Sequence, residues 1–432
     1  MGFFRFLDLY PPNSEIQVSF DLTVPQSSLH SLSITPKSCS YSPIIPPEII
    51  LTIMDAAYDE SEPNNKAVFR NFALVCKAWS LPAQKLLFRH LILNSESDYL
   101  AFHSAVSRTR LLGDAVRSIR ASLDPNQPCG LAQRDFATVV TLCPNLDRLD
   151  LSLYGSVSSG ESAFDDSVIE LLKSGPQISS LRFTNWSDNR HALTQLLGVW
   201  TTLKSLVIGG TPPELLLPSS RSPSPSPPSL EPFPCSLEKL GLNFQSSPSI
   251  DFFRWLLHHS SETLHTLEFE REPSSSSSPS TAASASTSQA VLHHLLHAHH
   301  TTLTTLALPS CSRATARVLE KCTNLKRFSV EDGRDLGVAL SRLGGGGTLE
   351  YLGFGMDKEV GLQGVLDAVK ASRDDLGCDS TSSLKEVTVN LWDGAKLHRQ
   401  LPSLKMACAL RGVRLEITDN VKVFRGVMRD EH

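Results

Sequence analysis

The chain has 432 residues, 40 basic against 45 acidic side chains, a net charge of −5 and 41% hydrophobic residues. That length allows roughly two to four ordinary domains or one elongated array, and the composition excludes a wholly disordered polymer and a membrane bundle. The near balance of charge supplies no field to draw the chain onto nucleic acid or an anionic membrane, so a partner has to be recognised by shape.

Nine cysteines are scattered from Cys39 to Cys408 without a C-x-x-C pair. An odd count does not complete a disulfide framework, so a reducing compartment, cytoplasm or nucleus, is expected. No apolar run reaches the roughly 18 residues of a spanning helix, and the opening MGFFRFLDLY meets Asp8 and then prolines where a secretory segment would continue.

Residues 1–43 are rich in Ser and Pro without a sustained period, and an irregular lead is expected there. Residues 44–93 are helical in pattern. Pro46 and Pro47 suit a first helical turn, Glu48 suits its positive end, and Ile49, Ile50, Ile53, Met54 and Ala57 form an apolar stripe. Asp59 to Asn65 interrupt that helix. A second helix is predicted to carry Phe69, Phe72, Ala73 and Val75 and to continue from Cys76 to Trp79, and Pro82 to open a third with Leu86, Leu87 and Phe88. Three short helices cannot shield so many apolar side chains alone, so a partner or the next part of the chain has to cover them.

From 94 to 419 one pattern, L-x-x-L-x-L, keeps returning. Its nine clear copies begin at Leu146, Ile178, Leu203, Leu237, Leu264, Leu303, Leu325, Leu349 and Leu384, as in Leu146, Leu149 and Leu151. A weaker copy is Val116, Ile119 and Ala121, and Leu415 with Ile417 marks a closing strand. Most intervals hold apolar residues three and four apart, such as Phe136, Val139 and Val140, or Leu193, Leu196 and Leu197, which predicts a helix between strands.

A strand and helix of this size cannot bury their apolar sides alone, so the units are expected to stack as an α/β solenoid, parallel strands inside and helices outside. Two low-complexity stretches, 211–234 with nine of the 27 prolines and the Ser-rich 272–289, are expected as solvated loops. Residues 420–432 are read as a tail.

The repeats resemble degenerate leucine-rich repeats, although the position where that family places Asn or Cys holds Tyr154, Trp186, Gln245 or Gly333 here. Irregular turns are expected in consequence. The upstream segment is similar to an F-box, on Ile45-Pro46-Pro47-Glu48-Ile49-Ile50, Leu74-Val75-Cys76-Lys77-Ala78-Trp79 and Leu87-Phe88.

The resemblance implies a substrate-recognition subunit of an SCF-type ubiquitin ligase. The F-box would dock the adaptor subunit and through it a cullin, and the repeats would hold a target protein of unknown identity. Carried over position by position, Ile45, Pro46, Ile49, Ile50, Ile53, Leu74, Val75, Cys76 and Trp79 would form or support the adaptor interface.

The target surface is expected on the inner strand face, at Arg148, Asp150, Ser152, Arg182, Thr184, Lys239, Asn243, Glu268, Glu270, Arg327, Glu331, Tyr351, Glu386 and Asn390. The alternative is a protein-binding repeat scaffold outside any ligase, its N-terminal helices serving only as a cap.

Enzymatic constellations are not found. His293, His294, His297, His299 and His300 crowd one segment, with His258 and His259 in another, but HHLLHAHH lacks the Glu of a H-E-x-x-H site, and solvated histidines at a helix end are expected. Cys311 and Cys322 read as small buried hydrophobes. The glycines at 344–347 follow a helix instead of opening one, which makes them a connector and not a phosphate cradle. No catalytic residue, cofactor or metal is assigned, and neither nucleic acid nor membrane is expected as a partner.

Overall fold

The structure, a computed structural model, describes residues 45–58, 65–155, 163–215, 231–244, 248–270, 282–343, 348–358, 360–371, 384–392 and 398–428. The predicted lead at 1–43, the break from Asp59, the core of the proline-rich stretch and the 344–347 glycines lie outside these residues.

The described residues open with helices α1 (Pro47–Ala57), α2 (Asn65–Val75) and α3 (Lys77–Phe88). Strands and helices then alternate: β1 (His90–Leu93), α4 (Glu96–Arg108), α5 (Leu111–Ala115), β2 (Ser118–Leu123), α6 (Gln133–Thr141), β3 (Arg148–Gly155), α7 (Asp166–Lys173), β4 (Ser180–Ser187) and α8 (Ala192–Leu197). They continue as β5 (Ser205–Gly210), β6 (Lys239–Phe244), α9 (Ile250–Leu256), β7 (Thr266–Phe269), α10 (Ala282–His299), β8 (Thr305–Ser310), α11 (Arg313–Leu319), β9 (Arg327–Asp332) and α12 (Leu336–Arg342). The last elements are β10 (Tyr351–Met356), α13 (Gln363–Ala371), β11 (Glu386–Leu391), α14 (Leu401–Arg411), β12 (Arg414–Thr418) and α15 (Val421–Met428).

The strands form one 12-stranded sheet in strict chain order, every described pair parallel. This is a solenoid-like α/β fold. Each interior strand pairs with the strand before and the strand after it, so an apolar side chain at one register position meets its counterpart in both neighbours. The second leucine of each motif thereby becomes one continuous row: Leu91, Ile119, Leu149, Leu181, Leu206, Leu240, Leu267, Leu306, Phe328, Leu352, Val387 and Leu415. All but Leu415 are buried, and they belong to a core that runs from Ile50 to Val413 without a break.

The strand entrances repeat at backbone level. Arg117 C=O accepts from the N–H groups of Asp147 and Arg148, Asp147 C=O from Ser179 and Ser180, and so on through Glu350 C=O, which accepts from Lys385 and Glu386. The entry turns are therefore regular although the Asn ladder of leucine-rich repeats is absent, because backbone carbonyls alone satisfy the donors that each turn leaves open. On the exit side one turn depends on glycine. Gly210 has φ +78°, and a Cβ there would collide with the Asn185 carbonyl.

Four expectations need correction. Pro82 lies inside α3 instead of opening it; the chain breaks at Cys76, which is extended (φ −165°, ψ 168°), so α2 ends at Val75 and α3 starts with Lys77. The last residues of 44–93 form β1, not helix, since Leu91 and Leu93 find their partners across the sheet in β2. Helix α10 starts at Ala282, inside the predicted Ser-rich loop, where alanine favours continuation of the apolar helix that follows. The predicted tail contains α15, whose Asn420 side chain accepts from Lys422 and Val423 N–H. Among the described residues no helix is long and apolar enough to cross a membrane.

Candidate functional site

Two surfaces carry side chains that the fold itself does not use up. The first belongs to α1–α3. Helix α1 turns one stripe inward and another outward: Ile50 and Met54 are 2% and 0% exposed, whereas Ile49 and Ile53 are 50% and 45% exposed. Adjacent positions on a helix differ by about 100°, so neighbouring isoleucines serve opposite environments. Ile50, expected among the contact residues, is consequently a core residue that holds α1 in place. Ile45, Pro46, Leu51 and Val68 are exposed, as are Leu74, Val75 and Cys76 at the α2–α3 junction, Val75 at 62%.

Trp79 is half-buried and anchors this junction. It meets Phe72 edge-on at 5.5 Å, Phe72 meets Phe69 likewise at 5.5 Å, and Tyr58 lies 5.6 Å from Phe69. Tyr58 in turn stacks on His90 at the head of β1. Ala83, Leu86, Leu87 and Phe88 of α3 are buried, and α3 packs on α5 and β1. The module therefore shares its inner side with the first repeat and leaves its outer aliphatics in water.

The second surface is the inner sheet face, the side opposite the leucine row. Alternation along each strand places all the expected positions there. Arg148 is exposed, and Asp150, Ser152, Arg182, Thr184, Lys239, Asn243, Glu270, Arg327 and Glu386 are half-buried. Glu268, Glu331, Tyr351 and Asn390 are buried, which denies them direct contact with an external target in this conformation.

Many of these groups are already engaged across strands. Arg120 Nε lies 2.8 Å from Asp150 Oδ2, Lys239 Nζ 2.8 Å from Glu268 Oε1, and Asn243 Nδ2 donates to Glu270 Oε2 at 3.0 Å. The Arg327 guanidinium stands 4.2 Å over the Tyr351 ring. Burial raises the Tyr351 hydroxyl above its ordinary pKa, an effect the charge of Arg327 partly offsets.

What covers the C-terminal half of this face is α15. Phe424 and Met428 are buried and pack with Ala307 of β8. Arg425 forks onto Glu331, Nε to Oε1 at 2.6 Å and the second nitrogen to Oε2 at 2.9 Å, and Arg327 donates to the Val427 carbonyl at 3.4 Å. Beyond Met428 a recess continues along the face, lined by Arg182, Val207, Gly241 and Ala307. Phe424, Arg425 and Met428 were missed as functional candidates, yet Asn420 followed by apolar residues four apart is a helix-start signal.

Among the described residues no group of three or more His, Cys, Asp or Glu side chains could hold a metal ion. The expectation of solvated histidines fails at one place. His299 is only 4% exposed, and burial, with the charge of His294, pushes its pKa down to about 4. No protein-family model matches the chain, and no curated protein does so either.

Proposed function

We propose that the chain is the substrate-recognition subunit of an SCF-type cullin–RING ubiquitin ligase, α1–α3 acting as an F-box for the adaptor and the leucine-rich-repeat-like sheet as the surface for a target protein in the cytoplasm or nucleus. The observation that carries this reading is the outward aliphatic set Ile45, Ile49, Ile53, Leu74 and Val75, left in water by a module that shares its inner apolar side with the chain's own core. All of them but Ile53 lie within the two segments that resemble an F-box, Ile45 to Ile50 and Leu74 to Trp79.

The chain performs no bond chemistry in this scheme. It supplies proximity, holding a target close to the ubiquitin-transferring subunits so that a bimolecular encounter becomes effectively intramolecular. Most of the adaptor-binding energy would sit in a few anchors, and truncating one of them costs about 2 kcal/mol or more.

The shared core of α3, α5 and β1 favours a second reading, in which the three helices only cap a scaffold outside any ligase. Mixing the full-length chain with purified adaptor and separating by size decides between them. A 1:1 complex is expected, and free components at micromolar concentration would refute the ligase assignment.

A further inference from the structure

Helix α15 departs from the pattern of six other repeat helices. The crossover helices α6 and α7, and α11 to α14, pack on one another, whereas α15 packs on β11 and β12 and on the inner face of β8 and β9. Its landing site is shaped for a helix. Ala307, Ser329 and Gly353 follow one another in register across β8, β9 and β10, a row of small side chains flanked by Glu331 and Tyr351. A Cβ on Gly353 would already crowd the Tyr351 hydroxyl at 2.9 Å and Ser329 Oγ at 3.1 Å.

The helix itself has eight residues, too few to persist alone in water. It is helical because it is docked, through two apolar anchors four residues apart and one bidentate arginine. The fit is incomplete. Asn390, on the inner side of β11, is 0% exposed, and both ends of its amide lack a hydrogen-bond partner among the described residues. The recess beyond Met428 extends the same groove over Val207 and Gly241.

We infer that the inner face over β8–β11 is a binding site for amphipathic helices with apolar side chains at two positions four apart and an arginine directly after the first, and that α15 is the chain's own displaceable occupant of it. A target helix that sets a polar side chain against Asn390 satisfies an amide that α15 leaves open. The inference rests on the inner face being the target surface; it does not involve the adaptor.

The test uses the full chain, without adaptor, and a fluorescent peptide of residues 418–432 added in trans. Arg425→Glu sets a carboxylate against Glu331 and releases the tethered helix, and Phe424→Ala with Met428→Ala releases it without a charge change. Both released chains are expected to bind the peptide at least about tenfold tighter than the parent, in which the tethered copy competes at high effective concentration. Glu331→Arg is expected to abolish that binding, as is a peptide lacking Phe424 and Met428. Hydrogen exchange on the same samples reports whether α15 has opened. An opened α15 with no peptide binding in either variant, or loss of protection throughout β8–β11, would make α15 a fixed structural part and overturn the inference. Neither result alters whether the adaptor forms its complex.

Discussion

Helix α1 offers a comparison of like residues with opposite expected outcomes. Met54 is fully buried and Ile50 nearly so, while Ile49 and Ile53 on the same 11-residue helix are half exposed. Burying an aliphatic side chain of this size contributes about 1.5–3 kcal/mol, so the half of Ile49 or Ile53 that is shielded is worth about 1 kcal/mol each. The pair Ile49→Asp and Ile53→Asp should therefore cost about 2 kcal/mol, a loss of about 30-fold in the protection of module amides. Met54→Asp forfeits its whole burial and leaves a carboxylate without a partner, and should cost about 4 kcal/mol or more. Hydrogen exchange over residues 45–88 and urea unfolding read both quantities, with adaptor binding measured in parallel. The outer pair should lose adaptor binding with the module folded. If it collapses the module as fully as Met54→Asp does, those isoleucines are structural and the docking argument fails.

Acid should weaken the fold through His299. Its folded pKa of about 4 lies below the ordinary 6.5, so between those values the unfolded chain takes up a proton that the folded chain refuses. Stability falls as pH drops from 6.5 to 4, by at most about 3 kcal/mol from this group, and levels off below. Urea midpoints across that range should fall less steeply for His299→Leu than for the parent; equal slopes would refute the assignment. Gly210→Ala forces a left-handed alanine into the Asn185 carbonyl and should cost about 2 kcal/mol, seen as faster exchange in β4 and β5; unchanged protection would show that the turn tolerates a side chain. Burial pushes the thiols of Cys143 and Cys311 up to about 12 and that of Cys322 to about 11, whereas Cys76 and Cys129 are exposed. Mapped alkylation of the native chain should label the exposed pair about 100-fold faster than the buried three, and similar rates would contradict the packing.

The repeating architecture was legible because L-x-x-L-x-L puts leucine at a fixed register on strand after strand, and each of the nine clear copies coincides with one of the strands from β3 to β11. Where a signal depends on a neighbour, it was not. His90 to Leu93 carries only Leu91 and Leu93 in alternation, and it becomes a strand through β2, itself the weakest copy. Pro82 looked like a helix start because proline favours the first turn, but the extended backbone at Cys76 sets the boundary five residues earlier than the aromatic spacing suggests. For the outer aliphatics of α1, periodicity identified the apolar stripe without revealing which half the module keeps for itself. Alternation assigned Glu331, Tyr351 and Asn390 to the inner face correctly as geometry, yet nothing local to those residues announces that a helix some ninety residues or fewer downstream lies over them.

Among the described residues the sheet, assembled strictly in chain order, ends in two rims, β1 and β12. The last rim is short and half in solvent, with Arg414 and Glu416 projecting from it. Ionic side chains and brevity discourage one molecule from adding its strands to the next. Removing residues from 414 onward would bare β11 instead, whose Val387, Thr388, Val389 and Asn390 are all buried in the intact chain. Such a truncated product carries an adhesive flank suited to self-association, so cutting the chain there should yield aggregates instead of a shortened but serviceable protein.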